Sequence, residues 1–278
     1  MPFELVDAPP GDLKLARFFA QAVDHAYLND PAGAQKFRED LGLDAQLISV
    51  GNTQVYVAHN DKHIVVAFRG SESPTSFDGL KDWLLTNANN LLVLPEGQAG
   101  TDFAAAGVGA RFHRGFLEAL NSVWAPFFAA VDAAYSEKER PIWVCGHSLG
   151  GALALLAAWR LERNALPVHQ VYTFGAPMVG NAAAAAAIEK QFAGRIFRVI
   201  NGGDLVPKLP TISLTSNAYE HCQQEVPLGQ AGSIPTNLAA GEQIDAAAQP
   251  GIWAFIMGNI EAHFMNNYLT KLDERCRG

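Results

Sequence analysis

The stretch Ile142-Trp143-Val144-Cys145-Gly146-His147-Ser148-Leu149-Gly150-Gly151 decides the reading of this chain. Four apolar residues run into Gly146 as a buried strand would, and small residues after Ser148 open a helix over Leu149 to about Arg163. Between them lies G-x-S-x-G in the strand–turn–helix setting that the pattern needs to carry meaning. The serine leaves the strand in an unfavourable backbone conformation, and glycines on either side allow the helix to pack against the turn. The first backbone N–H groups of a helix have no partner within it, so those beginning at Leu149 are candidate donors to an oxyanion beside Ser148.

The totals fit one large folded unit, and a single domain over residues 1–278 is the expectation. Hydrophobic residues make up 49% of the 278 and charged residues 17%, a composition with a substantial core and no low-complexity tail. A formal net charge of −8 without an offsetting Lys/Arg cluster excludes nucleic acid as the expected partner, as well as electrostatic attachment to an anionic membrane. No apolar run is long enough to span a bilayer, and Met1-Pro2-Phe3-Glu4-Leu5 lacks the basic start and apolar core of a signal peptide. Compartment and oligomeric state stay open. Three cysteines make no disulfide framework; Cys145 reads as a small buried residue, and Cys222 and Cys276 are the pair that could bridge.

On the N-terminal side, mixed three- and four-residue spacing over residues 11–28 predicts an amphipathic helix. Leu47–Val50, Gln54–Ala58 and Ile64–Phe68 then read as an antiparallel meander turned at Gly51-Asn52 and Asn60-Asp61, with His59 and His63 as solvated residues at its second turn. Phe68-Arg69-Gly70-Ser71 ends the third strand. A small hydroxyl residue there can aim its N–H into a site, or it can simply cap a loop. Residues 73–85 read as a loop entering a short amphipathic helix, either a lid or a helix docked on the core. Leu91–Leu94 suggests another strand, Pro95–Arg111 a long surface loop, and His113 a structural residue opening a helix to about Tyr135.

Beyond the serine, strands at Val168–Phe174 and Ile196–Ile200 alternate with a helix at Asn181–Gln191, as parallel strands with crossovers do. Asp204 follows the end of the Ile196–Ile200 strand. Parallel strands bring their C-terminal ends to one edge, so Asp204 and Ser148 are expected on the same rim. The chain order Ser, acid, His then needs a histidine after Asp204, and two follow it, His221 and His263. His263 sits at the start of a terminal helix, after a long polar stretch that can bring it back to the rim, and its preference over His221 rests in part on the resemblance given below. His221, after Tyr219-Glu220, reads as a strand residue.

Together Phe68-Arg69-Gly70-Ser71, Asp82-Trp83, His113-Arg114-Gly115-Phe116, Gly146-His147-Ser148-Leu149-Gly150-Gly151, Thr173-Phe174-Gly175-Ala176-Pro177, Asp204-Leu205-Val206-Pro207 and His263 resemble the class 3 (fungal-type) lipases over roughly residues 45–270. The resemblance implies an α/β-hydrolase fold with a mostly parallel central sheet, an antiparallel N-terminal meander and helices on both faces. It implies Ser148 as nucleophile with Asp204 and His263 as its partners, and Ser71 with Leu149 as the oxyanion hole. It also implies a lid at about 73–85 opening at an oil–water interface, a lipid or small ester as substrate, and no metal or cofactor. Against that pattern the 73–85 segment looks longer and the 95–111 loop expanded. A phospholipase A1, a feruloyl-type esterase and a non-catalytic scaffold are the other readings compatible with these residues.

Overall fold

Alternation of apolar side chains along each strand sorts the core into two layers on either side of one sheet. The computed structural model describes residues 5–70, 91–209, 218–222, 224–229 and 258–277. Ser71, Asp82-Trp83 and the lid expected at about 73–85 lie outside the described residues.

The sheet has seven strands in the order β1-β2-β3-β6-β7-β9-β11. β1 (Asp44–Val50), β2 (Thr53–His59) and β3 (Ile64–Phe68) form the expected antiparallel meander. From β3 onward β6 (Ile142–His147), β7 (Val168–Phe174), β9 (Ile196–Ile200) and β11 (Gln224–Pro227) run parallel. In β3, Ile64, Val66 and Phe68 enter one core while Val65 and Ala67 enter the other, the period-2 signature of a strand covered on both faces. On one face α1 (Leu13–His25), α2 (Ala32–Leu41) and the C-terminal helix cover Tyr56, Trp143, Tyr172 and Phe197. The other face packs against the two long helices at Arg114–Glu137 and Leu149–Arg163.

A second, small sheet joins β10 (Tyr219–Glu220), β8 (Gly180–Asn181), β5 (Phe112–His113) and β4 (Leu92–Val93), so the strand expected at 91–94 pairs with Phe112–His113 and not with the main sheet. The expected loop at 95–111 contains a helix, α3 (Gly97–Ala104). Its two glycines mask it in the sequence, and tertiary contact holds it. Asp102 and Phe103 are buried, and Asp102 Oδ2 sits 2.8 Å from Arg160 Nε. α4 (Arg114–Glu137) begins at His113, whose Nδ1 accepts the Phe116 N–H, the structural role expected of it. α5 (Leu149–Arg163) and α6 (Ala182–Gln191) complete that face, with the Asn181 side chain capping α6 through the Ala184 N–H. His63 is 5% exposed, so it is a core residue and not the solvated one expected, and its ring meets the edge of Trp143. Cys145, Cys222 and Cys276 are all free thiols.

Candidate active site

Three strand ends supply the site. Ser148 follows β6 directly and takes φ 54°, ψ −128°, a positive φ that only Ala165 shares among the described non-glycine residues. Such a conformation costs on the order of 1–3 kcal/mol and persists only where its surroundings fix it. Here the Ser148 N–H donates to the Phe174 carbonyl at the end of β7, and its carbonyl accepts from Gly151 at 2.9 Å. A Cβ on Gly146 would strike the Gly150 carbonyl, and one on Gly150 would strike the Phe68 and Arg69 carbonyls at the end of β3. The glycines of the motif thus let strand, turn and helix close on each other. Ser148 is 1% exposed, and its Oγ makes no hydrogen bond among the described residues. The Leu149 N–H, first in α5, has no acceptor within the helix.

Asp204 lies in the loop after β9 and is 2% exposed. Its Oδ1 accepts the N–H of Val206, the first residue of the short 3₁₀ turn Val206–Lys208, at 2.9 Å, which fixes the carboxylate's rotation. Oδ2 receives two bonds, from His263 Nδ1 at 2.8 Å and from Tyr268 Oη at 2.6 Å. Burial, and then the Asp204 charge, raise the Tyr268 pKa well above the tyrosine value, so its phenol stays protonated and donates.

His263, 1% exposed, closes the 3₁₀ turn Ile260–His263 and precedes α7 (Met265–Arg277), where the sequence suggested the start of the helix itself. Asn201 at the end of β9 donates to the Ala262 carbonyl at 2.7 Å, and Lys271 in α7 donates to Asn201 in turn. Gly175 brings the parts together. The residue before it accepts the Ser148 N–H, while a Cβ on Gly175 would come within 3.0 Å of His263 Cε1 and 2.9 Å of Tyr268 Oη.

Of the two histidines that follow Asp204, His263 therefore holds the Asp204 carboxylate. His221, just past β10, bonds the Pro207 carbonyl instead. Burial and nearby Arg198 lower its pKa to about 4. Tyr268, Tyr27 and His147 are the site neighbours that sequence reasoning missed. His147 was visible as the variable residue of the motif, but its partners lie far along the chain. An arrangement of strained serine, histidine and buried carboxylate can generate an oxygen nucleophile without a metal.

Comparison with known proteins agrees with the fold. The family model described as lipase (class 3) matches residues 65–214. A protein of Fusarium solani named secreted mono- and diacylglycerol lipase 1 is 36% identical over 230 residues, covering 77% of this chain and 63% of that protein. The chloroplastic phospholipase A(1) DAD1 of Arabidopsis thaliana is 27% identical over 169 residues, covering 58% of this chain and 36% of that one. The matched stretches thus span less than two thirds of these relatives' own length. The solved structure of a lipase from Rhizopus microsporus var. chinensis superposes with a TM-score of 0.62 at 24% identity, over 81% of this chain and 77% of that one, and shares the fold.

Proposed function

Since the chain belongs to the class 3 lipase family, we propose that it hydrolyses carboxylic esters of lipids, acylglycerols first among them, through an acyl-enzyme on Ser148. The observation that carries the reading is the 2.8 Å bond from His263 Nδ1 to a buried Asp204 carboxylate, with a serine held at positive φ directly after His147, whose Nε2 bonds the His263 carbonyl.

In this proposal His263 Nε2 takes the proton of Ser148 Oγ as the oxygen attacks the ester carbonyl carbon. Asp204 holds the ring with Nδ1 protonated and stabilises the imidazolium. The developing oxyanion is met by the Leu149 N–H, with Ser71 supplying the second donor. Collapse of the tetrahedral intermediate breaks the bond to the alcohol oxygen, which receives the proton from Nε2. Water then attacks the acyl-enzyme by the same route, with His263 accepting its proton and returning one to Ser148 as the fatty acid leaves. Loss of one oxyanion donor typically slows such a reaction ~10²-fold to 10³-fold. One α/β-hydrolase domain over residues 1–278 carries the whole reaction in this reading.

The Fusarium relative points to mono- and diacylglycerols as substrate. The Arabidopsis relative favours a second reading on phospholipid esters with the same catalytic groups. The test is fatty-acid release from tributyrin as its concentration passes the solubility limit, from diacylglycerol emulsions and from phosphatidylcholine vesicles, with Ser148→Ala alongside. The expected result is release by the wild type, rising once droplets form, and a loss of ~10⁶-fold in the variant. Release confined to vesicles selects the phospholipid reading, and most activity surviving in Ser148→Ala overturns the proposal.

A further inference from the structure

His147 precedes the strained serine, is 2% exposed, and is bonded through both ring nitrogens. Nε2 lies 2.6 Å from the His263 carbonyl oxygen. A carbonyl oxygen only accepts, so Nε2 carries a proton. Nδ1 lies 2.7 Å from Tyr27 Oη. Burial, followed by the neighbouring His263 imidazole, holds the His147 pKa well below the usual histidine value, so the ring is neutral and Nδ1 accepts from the Tyr27 hydroxyl. Burial also pushes the Tyr27 phenol up, which keeps it a donor, and its oxygen packs so closely on Gly70 that a Cβ there would strike it.

Two bonds form a relay, Tyr27 O–H to His147 Nδ1 and His147 Nε2–H to the His263 carbonyl, with Tyr27 Oη packed against Gly70. Its stations are the end of β3 that leads to Ser71, the turn that carries Ser148, and the turn that carries His263. Tyr27 stands just past α1, its N–H on the Asp24 carbonyl at 3.1 Å, so the relay also anchors these loops to a buried helix. The two imidazoles face each other with centroids 4.6 Å apart and planes 34° from parallel. His147 therefore meets His263 twice, at the ring and at the backbone. Asp204 orients the His263 ring about its side chain, and a misplacement of ~1 Å in a reacting group can cost ~10²-fold in rate. Something must also fix where the backbone of that turn sits relative to Ser148.

We infer that His147 and Tyr27 are positioning residues, setting the His263 turn and the Gly70 strand end against Ser148 through these two hydrogen bonds and the packing of Tyr27 on Gly70. The inference rests on the ester-hydrolase reading above. Neither residue exchanges a proton with substrate; each acts through His263 and the backbone beside Ser71.

The experiment compares wild type, His147→Phe, His147→Gln and Tyr27→Phe on p-nitrophenyl butyrate below its solubility limit, with Ser148→Ala as blank. Labelling of Ser148 by a p-nitrophenyl phosphate triester and thermal melting are followed in parallel. Phe keeps an aromatic ring and removes both nitrogens, whereas the Gln amide N–H can stand where Nε2–H stood. His147→Phe is expected to lower kcat ~10-fold to 100-fold, with labelling slowed alike. KM should stay within ~2-fold of wild type, since ground-state binding is untouched. His147→Gln should recover much of the loss, and Tyr27→Phe should fall between wild type and His147→Phe.

Wild-type kcat in His147→Phe or Tyr27→Phe, a loss carried by KM, or a Gln variant no better than Phe overturns the inference. If His147→Phe shows no cooperative melt, Tyr27→Phe and His147→Gln decide by the same criteria. A wild type that is labelled at Ser148 but releases no butyrate from p-nitrophenyl butyrate fails the function proposal, and the relay is then judged on labelling rates. A wild type that does neither overturns both.

Discussion

Tyr268→Phe removes a single hydroxyl from the acid end of the site. Tyr268 is 0% exposed and its Oη bonds Asp204 Oδ2 at 2.6 Å, the same oxygen that accepts from His263 Nδ1. After the change the carboxylate keeps the Val206 N–H on Oδ1 and His263 on Oδ2, two donors where there were three. A hydrogen bond to a charged group is worth ~1.5–3 kcal/mol, and no water replaces it where the phenyl ring still fills the space. For a chain of this size each kcal/mol shifts Tm by roughly 2 °C, so the melt should fall by about 3–6 °C near neutral pH. The catalytic loss is smaller than that of removing the carboxylate. His263 gains undivided use of Oδ2 while the carboxylate loses one of the bonds that fix its rotation, and ~10-fold or less in kcat is expected, against ~10⁴-fold for Asp204→Asn. Urea unfolding at neutral pH and kcat on p-nitrophenyl butyrate read the two effects separately. Stability within ~0.5 kcal/mol of wild type together with unchanged kcat would refute the reasoning, because a buried charge would then have lost a donor without consequence.

The Asp102–Arg160 pair that pins α3 to α5 is 7% and 1% exposed, and Arg160 also lies 3.7 Å over the Trp124 ring. Asp102→Leu alone should destabilise by ~3–5 kcal/mol in urea unfolding, and the double change Asp102→Leu with Arg160→Met should recover most of it. His221 has its pKa lowered to about 4 when folded, against ~6.5 unfolded. The unfolded chain thus binds the extra proton between these values. The contribution is fully present above about pH 6.5 and is lost as pH falls towards 4, by at most ~3 kcal/mol, a slope that His221→Gln should flatten in denaturation series. Gly150→Ala drives a Cβ into the Phe68 and Arg69 carbonyls, backbone atoms that cannot step aside cheaply. A cost of ~1–3 kcal/mol and a lower rate of Ser148 labelling are expected, measured by melting and by organophosphate reaction.

Six of the seven strands of the main sheet were legible because they carry their own signal, while β11, none of whose four residues is buried, lay in the stretch read as polar. β3 alternates between two cores, and β6 is an apolar run ended by a turn that only glycine tolerates. α3 was not legible, because its sequence, Gly-Gln-Ala-Gly-Thr-Asp-Phe-Ala, is poor in helix propensity. What holds it is the bond that Arg160, 58 positions away, donates to Asp102. α2 escaped for a related reason: of its ten residues only Gly33 and Phe37 are buried, so its pattern is mostly that of a solvated face. His63 was misplaced because a polar residue beside a turn reads as exposed, while tertiary packing sets it against Trp143.

The same division runs through the site. Ser148 is announced by its own neighbours and Asp204 by the strand end before it. His263 follows from chain order only as one of two candidates, and the fold brings it, and not His221, to the Asp204 carboxylate. The residues that support these three are announced by nothing local: His147 reaches Tyr27 and His263 across 120 and 116 positions, and Tyr268 reaches Asp204 across 64. This separation has a physical cause. A positive φ at Ser148 is unfavourable for the chain by itself, and bonds within one turn could relax along with it. Bonds to distant, buried elements cannot, since each would have to break against a packed core. The Ser148 N–H is held by β7, and the residue before it is held at both ring nitrogens, by Tyr27 beyond α1 and by the His263 turn. The strain is therefore kept by the long-range contacts that a sequence motif cannot display.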